Sequence, residues 1–234
     1  MSSTGTTRKI LLTVPIALLA CISSAAAEPL PILDQASNLR AEVLGLALDA
    51  YEQAEAEGAI RRPVLTIIDY ELSSYEKRLW VIDMERQRLL HEEWVAHGMG
   101  KPRGSGGTME EALSFSNEHG TLKSSLGLFL TAETYWGGHG YTLRLDGLEE
   151  GINDNARERL IVLHGADYVS RDRAEDRLVG RSWGCPAVRP AISQKLIDTI
   201  KGGSVLWIYY PEEGWLAESE FLDDTDSVDL MASY

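Results

Sequence analysis

Seven short runs rich in β-branched, aromatic and leucine residues recur between Val64 and Tyr210, and they restrict the chain to a β-dominated fold. The runs are Val64 to Tyr70, Arg78 to Asp83, Leu89 to His97, Leu126 to Thr134, Tyr141 to Leu145, Leu160 to His164 and Ser204 to Tyr210. The second and third flank a polar five-residue stretch, which is hairpin spacing. Gly100 to Glu110 is glycine-rich and aperiodic and reads as a mobile loop, and the polar Asn153 to Arg159 reads as a short helix. Pro190 opens a helix over Ala191 to Ile200, which Lys201-Gly202-Gly203 closes. Ahead of the strands, Ser37 to Glu57 places Leu39, Val43, Leu46, Ala47, Ala50 and Ala54 three and four apart. That is an amphipathic helix with Ser37 as N-cap and Gly58 in the left-handed C-terminal position.

The first residues predict export. Arg8 and Lys9 precede an apolar run from Ile10 to Ala20, whose 11 residues are too few to span a bilayer as a helix. Small residues follow, and cleavage after Ala27 is expected. The alternative is a lipobox, Leu18-Leu19-Ala20-Cys21, with Cys21 acylated in a lipoprotein. The expected organisation is a signal peptide over 1–27, a linker and helix over 28–60, a catalytic domain over 61–211 and an acidic tail over 212–234. No transmembrane segment is expected after processing, and the protein is placed in the periplasm or cell envelope. The tail carries eight acids and no base, which reads as a solvated segment. A net charge of −14 argues against nucleic acid and anionic membrane as partners.

Cys21 and Cys185 are the only cysteines, and either processing route leaves Cys185 as the single free thiol. A lone thiol in an oxidising compartment cannot form an internal disulfide, so it is either a buried apolar filler or a reactive group. Its context is Gly180-Arg181-Ser182-Trp183-Gly184-Cys185-Pro186-Ala187. Gly184 lets the backbone approach a ligand, and Pro186 suits the first position of a short helical turn. A cysteine nucleophile needs a proton acceptor, backbone donors for an oxyanion, and access. The strand Leu160 to His164, followed by Gly165, ends on the best-placed acceptor, and pairing with His164 would lower the thiol pKa. The N–H groups of Cys185 and Gly184 are the candidate oxyanion donors. His97, His119, His139, His164 and Cys185 show no close metal-ligand spacing, and Gly104, Gly106 and Gly107 lack a following Lys-Ser/Thr, so no metal, phosphate loop or other cofactor is expected. Trp80, Trp94, Trp136, Trp207 and Trp215 read as core or rim aromatics.

A strand ending in His-Gly, a loop, and then Arg-Ser-x-Gly-Cys resembles the catalytic domain of bacterial L,D-transpeptidases, the YkuD-like cysteine enzymes of peptidoglycan cross-linking. Val95-Ala96-His97-Gly98 and Ser124-Ser125-Leu126-Gly127-Leu128-Phe129 extend the resemblance, which spans roughly Val64 to Tyr210. The order, histidine before cysteine, differs from papain-like enzymes. Trp183 stands where the family commonly has histidine, and Ala187 where it has arginine, which marks a divergent branch reading Ser-Trp-Gly-Cys.

The resemblance implies a mainly β, L,D-transpeptidase-like sandwich with short helices, to which the N-terminal amphipathic helix is added. It implies Cys185 as nucleophile, His164 as base and the Gly184/Cys185 backbone as oxyanion hole. Arg181, Ser182, Trp183, Gly165 and Arg144 are candidate substrate contacts, and Arg144, Arg157, Arg159, Arg181 and Arg189 gather around the motif in sequence. The implied substrates are peptidoglycan stem peptides. Attack follows the meso-diaminopimelate of a tetrapeptide and expels D-Ala; an amine acceptor gives a 3-3 cross-link and water gives L,D-carboxypeptidase activity. A wall-binding module without turnover is the non-enzymatic alternative.

Overall fold

Strands β1 (Val64–Asp69), β2 (Leu79–Asp83) and β9 (Val205–Tyr209) are buried at every position, so their near-continuous apolar runs mark sheet-centre strands rather than one-sided ones. In the computed structural model, residues 32–222 are described; the expected signal peptide and cleavage site, Cys21 and the acids beyond Leu222 lie outside the described residues. The remaining strands are β3 (Arg88–Glu93), β4 (Val95–Ala96), β5 (Gly127–Gly137), β6 (Gly140–Gly147), β7 (Val162–Gly165) and β8 (Ala187–Val188). They form one nine-stranded sheet in the order β3-β2-β1-β9-β5-β6-β7-β8-β4. Pairs β1/β9 and β7/β8 are parallel and the others antiparallel. The expected mainly β architecture with short helices is therefore present.

The two edge strands are nearly consecutive in the chain. Only Trp94 separates β3 from β4, so the backbone passes directly from one edge to the other and the sheet nearly closes on itself. Arg189, just past β8, binds Glu93 at the end of β3 through two contacts of 2.6 Å. Arg78, just before β2, donates to Val95 O of β4 at 3.1 and 3.0 Å. The Leu89 to His97 run predicted as one strand is thus two, broken where the chain crosses this seam.

Helix α1 (Ala41–Ala56) buries Val43, Leu46, Ala47, Ala50 and Ala54, as its spacing predicts, and packs on β1 and β9. It starts later than expected. Arg40 is the N-cap, while Ser37 donates to Glu92 at 2.6 Å and accepts the Trp80 indole N–H at 3.1 Å. Gly58 does take positive φ, at 73°. Helix α3 (Pro190–Ile200) packs on β7, β6 and β1.

Three local expectations are corrected and one unforeseen helix is added. Pro186 opens no helical turn: it leads into β8, and its carbonyl accepts the His164 N–H at 3.4 Å. Asn153 to Arg159 forms turns, because Asn153 is buried and binds Leu126 O, Leu128 O and the Glu149 N–H. A short helix α2 (Arg171–Glu175), capped by Ser170, had no periodic signal. Residues 212–222 are not a solvated tail: α4 (Glu213–Glu218) buries Trp215 and Leu216, Phe221 is buried after it, and the Trp215 indole donates to Glu149 at 3.0 Å.

Candidate active site

The parallel pair β7/β8 brings the histidine strand beside the cysteine segment, with His164 opposite Ala187, two residues past Cys185. Three other segments shape the turn before the cysteine. Ser182 donates its N–H to His97 O at 2.8 Å and accepts the Met99 N–H at 2.9 Å. Its hydroxyl donates to Cys185 O at 2.6 Å and accepts the Gly184 N–H at 3.1 Å. Ser124 accepts the Gly98 N–H at 3.0 Å and donates to Gly184 O at 3.1 Å. Gly184 has φ +114°, and a Cβ there would stand 2.7 Å from Lys123 O. At Gly98 an added Cβ would stand 2.9 Å from the Gly184 Cα, so the two glycines allow the backbones to touch.

These bonds correct half of the expected oxyanion hole. The Gly184 N–H is taken by Ser182, whereas the Cys185 N–H has no protein partner among the described residues. In a trans peptide the N–H points opposite to the preceding carbonyl. By holding Gly184 O, Ser124 therefore aims the Cys185 N–H away from the buried side.

The half-buried Cys185 thiol donates to Leu160 O at 3.5 Å. Burial pushes its pKa up, opposed by the Val162 backbone N–H and the Arg159 cation. His164 is buried, and its Nδ1 lies 2.9 Å from Gly165 O, which makes Nδ1 the protonated nitrogen and leaves Nε2 with its lone pair. Its pKa is lowered, chiefly by burial; the Gly165 carbonyl opposes this and His139 adds to it. Among the described residues no hydrogen bond joins Cys185 to His164, and burial shifts the thiol and the imidazole each toward its uncharged form.

The other predicted residues divide between loop supports and distant ion pairs. Arg181 donates to Gly107 O and so tethers the glycine loop, which is stitched by bonds from Gly104 and Gly106 to Met99 O. Ser182 shapes the turn, Trp183 is 72% exposed two residues before Cys185, and Gly165 follows His164. Arg144 is not brought to the thiol: it pairs with Glu133 at 3.1 Å and lies over Tyr135. Arg157 pairs with Glu133 and Asp146, and Arg189 with Glu93. Only Arg159 of the five arginines acts on the thiol, and its guanidinium meets neutral acceptors, including Lys123 O at 2.8 Å.

Three other histidines are also placed. His97 is buried between the Arg78 guanidinium at 2.9 Å and Thr108 O at 3.0 Å; burial and Arg78 hold its pKa at about 3, so it is a neutral structural group. His119 lies 3.7 Å from Glu158 at the surface. His139 stacks on His164, ring centroids 4.2 Å apart, from the turn between β5 and β6. Sequence reasoning named Ser124 and His139 but placed neither beside the thiol or the imidazole. Ser124 lies in the stretch that extends the family resemblance, and His139 is flanked by Gly138 and Gly140 in a tight turn. Among the described residues, no three of His, Cys, Asp or Glu converge as a metal site, and no helix is long and apolar enough to cross a membrane.

A family model described as the L,D-transpeptidase catalytic domain matches residues 35–209. Among solved structures, an L,D-transpeptidase from Mycobacterium smegmatis is similar at 13% identity and TM-score 0.37, over 63% of this chain and 59% of that one. The helical cell shape determining protein Pgp2 from Campylobacter jejuni is similar at 12% identity and TM-score 0.42, over 74% and 55%. The L,D-transpeptidase from Xylanimonas cellulosilytica shows 16% identity and TM-score 0.36, over 67% and 68%. The chain thus spans less than two thirds of the first two. No curated protein matches it.

Proposed function

This chain belongs to the L,D-transpeptidase catalytic-domain family, and on that premise we propose that it is an exported cysteine acyltransferase acting on peptidoglycan stem peptides. The observation that carries this reading is the free Cys185 N–H beside the single thiol of the described residues, on a peptide whose carbonyl Ser124 holds, with His164 on the adjacent strand.

In this mechanism His164 Nε2 takes the thiol proton as Sγ attacks the carbonyl carbon of the amide that joins meso-diaminopimelate to D-Ala in a tetrapeptide stem. The Cys185 N–H receives the developing oxyanion, an interaction worth on the order of 3 kcal/mol. The C–N bond breaks, the imidazolium returns its proton to the departing D-Ala nitrogen, and a thioester remains on Cys185. An amine of a second stem then displaces the sulfur and forms the 3-3 cross-link. Because burial favours the uncharged form of both thiol and imidazole, proton transfer accompanies attack in this mechanism. General-base assistance of this kind contributes roughly 10²- to 10⁴-fold.

Release of D-Ala from a disaccharide-tetrapeptide tests the reading. The wild-type protein should release it, and folded Cys185→Ser should not, since a hydroxyl is far less acidic than a thiol. Equal rates in the two proteins would overturn the assignment.

A further inference from the structure

Arg159 is a half-buried cation that, among the described residues, pairs with no carboxylate. Its guanidinium donates to Ser116 O, the Ser125 hydroxyl, Lys123 O at 2.8 Å and the Thr121 hydroxyl at 3.4 Å, all of them neutral. Arg157, two residues earlier and more exposed, is by contrast bound to both Glu133 and Asp146. Taking a guanidinium partly out of water without a counter-charge is costly, and such groups gather where their charge is used.

Arg159 reaches the nucleophile by two routes. Its side chain holds Lys123 O and the Ser125 hydroxyl, on either side of Ser124, whose own hydroxyl donates to Gly184 O at 3.1 Å. Its backbone leads into Leu160, whose carbonyl accepts the Cys185 thiol at 3.5 Å. Leu160 has φ +58° and a side chain 63% exposed, so neither backbone preference nor packing accounts for its conformation. The turn is closed by Leu160 N–H on Arg157 O at 3.1 Å and Ile161 N–H on Ala156 O at 2.9 Å, and it brings a carbonyl and a cation to one sulfur. The carbonyl favours the thiol; the cation and the Val162 N–H favour the sulfur anion. Two phenols, Tyr70 and Tyr168, also interact with Cys185, but burial pushes each up to about 12 and keeps it uncharged near neutral pH. His164 lies on the adjacent strand.

We propose that Arg159 is a positioning residue for the nucleophile, bracing the stretch behind the cysteine turn with its hydrogen bonds and supporting negative charge on the Cys185 sulfur with its own charge. The inference rests on the acyl-transfer reading and adds a residue to its site. Negative charge reaches the sulfur twice. It develops first as the thiol proton passes to His164 Nε2 and the sulfur bonds to the carbonyl carbon. It develops again when an amine opens the thioester: the C–N bond forms, the C–S bond breaks with its electron pair left on sulfur, and the proton lost by the amine passes through His164 to that sulfur.

Iodoacetamide alkylation of the full-length protein, followed by mass at Cys185 between pH 7 and 9, separates charge from bracing. On the rising limb the rate follows the thiolate fraction, so weaker support of the anion appears as a slower rate at every pH. Arg159→Gln removes the charge and should be roughly five- to tenfold slower than wild type at pH 8. Arg159→Lys keeps the charge and loses most of the hydrogen bonds, and it should stay within about threefold of wild type. Arg157→Gln makes the same change in net charge on the same turn and should leave the rate unchanged. A wild-type rate in folded Arg159→Gln, or an equal loss in Arg159→Gln and Arg159→Lys, would overturn the role of the charge. The kcat for D-Ala release from disaccharide-tetrapeptide should fall with the alkylation rate in Arg159→Gln, and an unchanged kcat would overturn the part given to Arg159 in the reaction. Slower alkylation of Arg159→Gln in a protein whose wild type releases no D-Ala would instead overturn the acyl-transfer reading and uphold the contact between Arg159 and the sulfur.

Discussion

Burial acts on the two proposed catalytic side chains in opposite directions on the pKa scale and toward the same outcome. It raises the Cys185 thiol and lowers the His164 imidazole, so each is held in its uncharged form. Alkylation of free Cys185 by iodoacetamide should consequently be slow at pH 7 and climb about tenfold per pH unit past the ordinary thiol pKa of about 8.5. A rate that levels off below pH 8 would show a preformed thiolate and contradict this. The sign for activity runs the other way: a lowered imidazole pKa leaves His164 able to accept a proton at pH 6.5, so the acid limb of kcat/KM should lie below that value. The type and order of these residues were legible in the sequence. Their protonation was not, because it depends on Leu160 O, Arg159 and His139, which only tertiary structure brings near.

Between residue and fold, the decisive unit is the turn from Ser182 to Cys185, built against Gly98 and Ser124. Its conformation needs the φ of +114° at Gly184, and any Cβ there meets the Lys123 carbonyl at 2.7 Å and Ile161 Cδ1 at 3.0 Å. Gly184→Ala should therefore displace the Cys185 N–H and lower kcat/KM by roughly 10²- to 10³-fold, as loss of one oxyanion donor does. Wild-type kcat/KM in a Gly184→Ala protein shown by circular dichroism to be folded would contradict the turn's role. The longer elements around it were legible: β1, β2, β5, β6, β7 and β9 coincide with apolar runs, and α1 and α3 with helical spacing. Strands β4 and β8 are two residues each, too short for any periodicity to register. Acidic composition hid α4, whose fold depends on just a few apolar residues, Trp215, Leu216 and Phe221.

On the scale of the whole molecule, the sheet's near-closure is what aligns the site, and it was not legible locally. The seam is held by the Arg189–Glu93 pair and by the buried Arg78, whose guanidinium reaches Val95 O, Leu72 O and His97 and whose pKa burial lowers to about 10. Nothing in the sequence around Arg78 announces a partner seventeen residues away on the opposite sheet edge. The same network runs through His97 to Ser182 and through Gly98 to Ser124, so the closed sheet and the cysteine turn are one hydrogen-bonded structure. All of it serves, on this account, to present one thiol for acylation. Intact-protein mass after rapid acid quenching of the protein with disaccharide-tetrapeptide tests that most directly. The account predicts an adduct equal to the substrate less D-Ala, located by peptide mapping on Cys185 and missing from Cys185→Ala; D-Ala release from the wild-type protein with no adduct on Cys185 would contradict it.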